Sequence, residues 1–90
     1  MSQPLSLDVA IGIVEHAFLP QRCETRQDRE DASFSVHVFD DRGAELLSHT
    51  HVARSQYSDP IRLAALIELS RLELSKDGYP LTPWSMPGGR

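Results

Sequence analysis

Apolar and polar positions alternate along this chain with two periods, and the change of period divides it into elements. The strongest signal is Ser58 to Lys76, SDPIRLAALIELSRLELSK. Ser58 or Asp59 is suited to cap a helix, because the side-chain oxygen accepts an orphan N–H of the first turn. Pro60 fits that turn, where its missing N–H is not needed. Gly78 is suited to end the helix. At 100° per residue the apolar positions form two stripes: Ile61, Ala65, Leu69 and Leu72 in one, Leu63, Leu66, Ile67 and Leu74 in the other. A surface helix needs a single apolar stripe. Two stripes demand cover on two sides, which a small domain rarely supplies. The helix is therefore expected to serve both as core and as a protein-binding surface, with Leu63, Leu66, Ile67 and Leu74 as the partner-binding residues.

Upstream, Ser6 is placed to cap a helix over Leu7 to Leu19, after a loose lead-in at Met1 to Pro4. Leu7, Ala10, Ile11, Ile13, Val14, Ala17 and Phe18 share one side of it, so it lies on a core with its back to water. Pro20 stops it. Arg22 to Gln27 alternates weakly and predicts a first strand. Ser33 to Phe39 alternates strictly, with Phe34, Val36 and Val38 on the buried side. Asp40-Asp41-Arg42-Gly43 predicts a hairpin with Gly43 in the left-handed region, and Ala44 to Val52 is the third strand. Closing the hairpin with Asp40 opposite Ala44 pairs Val38 with Leu46 and Val36 with Ser48 on the inner side. His37, Leu47, His49 and His51 then fall on the outer side. A slip of one residue would exchange the faces of the third strand.

The predicted fold is α+β, in the order α-β-β-β-α: a three-stranded antiparallel sheet with two helices packed on one face. Residues 1–77 form this single domain. Residues 78–90, GYPLTPWSMPGGR, hold three of the six prolines and three of the five glycines and read as a flexible tail. Trp84, the lone Trp, either folds back on its own domain or anchors a partner.

Composition narrows the function. Formal net charge is −4, against the clustered cations that a phosphate backbone requires. Arg22, Arg26 and Arg29 are interleaved with Glu24, Asp28, Glu30 and Asp31. No nucleic-acid partner is expected, and no membrane partner either, since no apolar run is long enough to span one. A single Cys, Cys23, excludes an internal disulfide and suits a reducing cytoplasm. Metal binding has weak candidates in His37, His49 and His51, three imidazoles on the open sheet face, but no carboxylate or thiol is placed by sequence to complete a site. Cys23 follows Arg22 without a positioned base. No nucleophile-elbow or phosphate-loop glycines occur. An enzyme is not expected, nor a cofactor.

Two resemblances bear on this. The α-β-β-β-α order is similar to that of double-stranded-RNA-binding domains, but the place of their phosphate-gripping lysines holds Ser58-Asp59-Pro60. Ala17-Phe18-Leu19-Pro20-Gln21-Arg22-Cys23-Glu24, Ser35-Val36-His37-Val38-Phe39-Asp40, Ile61 and Leu66 to Leu74 resemble a helix-to-strand junction, a central strand and a closing helix of a small bacterial family, domain of unknown function 1652. The resemblance implies a cytoplasmic single-domain protein and carries no activity or site residue. Together these readings point to a non-enzymatic module that acts by protein–protein contact, as a homodimer or an adaptor; the alternatives are a small-ligand or metal binder through the open sheet face with His37, His49 and His51, and a nucleic-acid-binding module of double-stranded-RNA-binding-like topology.

Overall fold

A computed structural model describes residues 4–87. The element order is α1 (Leu7–Ala17), β1 (Arg22–Asp28), β2 (Ser33–Phe39), β3 (Glu45–Val52), α2 (Arg54–Tyr57) and α3 (Pro60–Lys76). The predicted order holds, with α2 as an added turn of helix inside the expected link. Most of the lead-in, residues 1–3, lies outside the described residues.

The two long helices, α1 and α3, start where their polar caps are. Ser6 Oγ accepts the Val9 N–H at 3.3 Å, and Asp59 Oδ1 accepts the Ile61 N–H at 2.9 Å, with Pro60 next in line. The strands form one antiparallel sheet in the order β1-β2-β3. β1 and β2 pair without interruption from Arg22 opposite Phe39 to Asp28 opposite Ser33. The β2–β3 hairpin turns as its sequence predicts. Asp40 N–H donates to Ala44 O at 3.0 Å, and Gly43 takes φ +85°, a region open to glycine.

The register of β3 differs from the simple ladder. Val38 faces Leu47 and Val36 faces His49, because an irregularity between Phe39 and Val38 shifts the pairing, and a second between Val36 and Phe34 shifts it again. Each adds one residue to β3, and each exchanges its faces. The first brings Leu47 inward, where it is buried, and leaves Leu46 half-buried at the margin. The second restores the simple phase, so Val52 is buried as plain alternation places it. Alternation alone cannot show this, since a bulge resets the period without a change of composition.

One core lies between the sheet and the helices. Ala10, Val14, Ala17 and Phe18 meet Phe34, Val36 and Val38, and Leu63, Ile67 and Leu74 close it from α3. Tyr57, on α2, is 2% exposed; its ring lies 5.4 Å from that of Phe34, and its hydroxyl donates to Ala32 O at 2.6 Å. That bond reaches a residue in the left-handed region, Ala32 at φ +56°, and fixes the turn between β1 and β2.

The segment expected to be a flexible tail is held against the domain over residues 78–87. Tyr79 N–H donates to Leu74 O at 3.0 Å, and Thr82 N–H donates to Leu19 O at 2.8 Å. The Arg71 guanidinium donates to Ala17 O and to Thr82 O. Tyr79, Leu81, Trp84 and Met86 pack on the core margin. Proline and glycine forbid a regular element here, but not apolar contact or side-chain hydrogen bonds. Residues 88–90 lie outside the described residues.

Candidate functional site

The two apolar stripes of α3 meet opposite environments. Leu63, Ile67, Ser70 and Leu74, spaced by four, three and four, face the sheet and are buried. Leu63 is 0% exposed, and Ile67 and Leu74 are 1%. The partner-binding assignment of Leu63, Leu66, Ile67 and Leu74 is therefore corrected: Leu63, Ile67 and Leu74 are enclosed within their own chain, and Leu66 is half-buried on the core margin. The stripe left in solvent is the other one. Ile61 is 78% exposed, Leu69 67% and Leu72 55%, with exposed Ala65 between them. Scattered exposed apolar residues are normal. These four fall within about 80° of one helix face, diametrically opposite the buried stripe.

Charges flank this apolar face unevenly. Asp59, Arg62 and Glu73 follow one border, with Lys76 at the C-terminal end of the stripe and Glu68 across from them; all are exposed. Arg62 and Asp59 approach at 3.9 Å, an exposed pair worth little alone.

Trp84, the other expected anchor, is half-buried, and the Arg71 guanidinium carbon lies 5.9 Å from its ring centre. Its ring is engaged within the chain. Arg71 escapes a reading based on apolar periodicity. The signal that could have found it is a lone cation at the edge of the buried stripe.

The three histidines do not share a face. His37 lies on the open side, and its Nδ1–H donates to Glu45 Oε2 at 2.9 Å. His51 stands at the sheet end, 3.0 Å from Asp31 Oδ2. That contact and two hydrogen bonds from Ser33, the side-chain one foremost, hold the Asp31 carboxyl below its usual range. His49 points toward α3, 2.9 Å from Ser70 Oγ. Ser70 Oγ donates to Leu66 O at 2.8 Å, so His49 supplies the proton of the His49–Ser70 bond. The bulged register is what carries His49 to the helix side. Among the described residues, no group of three or more His, Cys, Asp or Glu side chains is arranged to hold a metal ion.

Cys23 faces the core margin. Burial first, then the charges of Glu15 and Glu24, push its thiol up to about 12. This is the reverse of nucleophile activation, which needs a stabilised thiolate. Among the described residues no helix is long and apolar enough to cross a membrane.

Residues 9–74 match a family described as Protein of unknown function (DUF1652), and the chain belongs to it. No curated protein and no solved structure matches the chain.

Proposed function

We propose that this DUF1652 member is a non-enzymatic protein–protein contact module, working by self-association, and that the outer stripe of α3 takes the α3 of a second copy. The observation that carries the reading is the exposure of Ile61, Leu69 and Leu72 on one face of the longest helix. Covering such a face removes apolar surface from water at about 25 cal/mol per Å².

The charges favour a second copy over an unrelated partner. Two α3 helices laid antiparallel about their midpoint place Ile61 over Leu72 and Ala65 over Leu69. In the same register Arg62 meets Glu73, and Asp59 meets Lys76. Twofold symmetry repeats each pair. Small Ala65 lets the axes approach at the crossing. Glu68 comes near its own copy on the other border, the one opposed pair. The cytoplasm is the proposed compartment, supported by the single cysteine, which has no partner for an internal disulfide. The net charge of −4 supports a partner other than nucleic acid.

Sedimentation equilibrium of wild type beside Leu69→Asp tests the reading. Leu69 is far from the core, so the variant keeps its circular dichroism, and its sedimenting mass falls below that of wild type. Equal masses for the two chains would overturn the proposal.

A further inference from the structure

We propose that the free edge of β1 is a second self-complementary contact, where another copy adds its own β1 antiparallel and joins two three-stranded sheets into one. This contact is independent of the α3 stripe and lies at the other side of the fold, since α3 packs over β3 and α1 over β1.

The two edges of the sheet are unlike. β3 is broken by two irregularities, and such bulges twist an edge away from further pairing. β1 is regular along all seven residues of its ladder with β2. On its other side, no backbone hydrogen bond from Arg22–Asp28 reaches another part of the chain among the described residues. An open row of N–H and C=O groups is a template for a further strand.

The side chains say which strand fits. β1 reads RCETRQD, and its charges invert about Thr25. Laid antiparallel on itself with Thr25 on the twofold axis, Arg22 faces Asp28 and Glu24 faces Arg26, and symmetry doubles both pairs. All four side chains lie on the open face of the sheet and are exposed. Charge alone would blunt an edge; this inverted order matches the edge to itself. It also selects the register. A slip of two residues in one direction sets Glu24 against Glu24 and Arg22 against Arg26. The opposite slip sets Arg26 against Arg26 and Glu24 against Asp28. Like charges directly opposite destabilise a sheet, so the pattern penalises both alternatives. On the helix side, Thr25 Oγ1 donates to Glu15 Oε2 at 2.9 Å. This brings two Glu15 carboxylates near the axis, the one opposed contact.

The test is made on the Leu69→Asp chain, which removes the α3 contact, so failure of either proposal is seen separately. At about 100 μM this chain is expected to sediment as a dimer. Adding Arg26→Glu turns both central pairs into Glu–Glu and raises the dissociation constant by more than about tenfold. Adding Glu24→Arg instead has the same effect through Arg–Arg. Mixed one to one, the two weakened chains form a heterodimer, because each supplies what the other lacks. Thr25→Cys on the Leu69→Asp chain gives a disulfide-linked dimer on mild oxidation, since facing residues across the axis lie within bridging distance. A monomeric Leu69→Asp chain would overturn the proposal. So would a mixture that stays monomeric, or a Thr25→Cys chain that cross-links no faster than Leu69→Asp itself.

Discussion

Replacing Arg71 by Ala tests how the C-terminal segment is attached. The guanidinium donates to Ala17 O, at the end of α1, and to Thr82 O at 2.7 Å, and it stands over the Trp84 ring. A hydrogen bond from a charged donor contributes about 1.5–3 kcal/mol. The lower figure applies to the Thr82 bond, which is exposed. A cation over an exposed aromatic ring adds about 0.5 kcal/mol. Water replaces part of what is lost at Thr82, and less at Ala17, where the bond is part-buried. The expected net loss is about 2 kcal/mol, a fall in Tm of about 10 °C for a domain of this size. Urea unfolding followed by circular dichroism measures the loss. Acrylamide quenching of Trp84 measures release of the segment. Arg71→Lys keeps the charge but not the fork, reaches one carbonyl, and is expected to recover about half of the stability. A loss below about 0.5 kcal/mol, together with unchanged Trp84 quenching, would refute the clamp.

Two further predictions concern the core and the thiol. Ile67→Ala empties a site that is 1% exposed and is expected to cost about 2–5 kcal/mol in urea unfolding; a cost like that of an exposed Leu69→Ala would contradict the assignment of stripes. Folding raises the Cys23 pKa from 9.0 to about 12, so the native thiol keeps a proton that the unfolded chain has lost. That contribution is complete below pH 9 and disappears as pH climbs toward 12. The stability difference between wild type and Cys23→Ser should shrink across that window, and a flat difference would show the thiol to be solvated.

Much of this was legible from residue order because local chemistry decides it. Ser6 and Asp59 cap their helices and Gly43 takes the left-handed turn. Phe34, Val36 and Val38 alternate into the core. The two stripes of α3 were legible too, but not which of them is buried. Both are Leu- and Ile-rich, and the inner one carries a polar residue, Ser70, whose hydroxyl meets both His49 and Leu66 O there. His49 is inward only because β3 is bulged, and bulges leave no periodic trace. The attachment of residues 78–87 was illegible for a related reason. It rests on Arg71 and on carbonyls at Ala17 and Leu19, more than fifty residues away in sequence. Tyr57 was hidden in a link too short to show a period.

Contact between two copies of the outer α3 stripe is directly observable. The most direct measurement is an isotope-filtered NOE experiment on a sample mixed from 13C-labelled and unlabelled chains. Pairing of the two stripes gives intermolecular NOEs between Ala65 and Leu69 methyl groups and between Ile61 and Leu72. Filtered spectra in which these four residues show no intermolecular contact, at a concentration where the protein sediments as an oligomer, would contradict it.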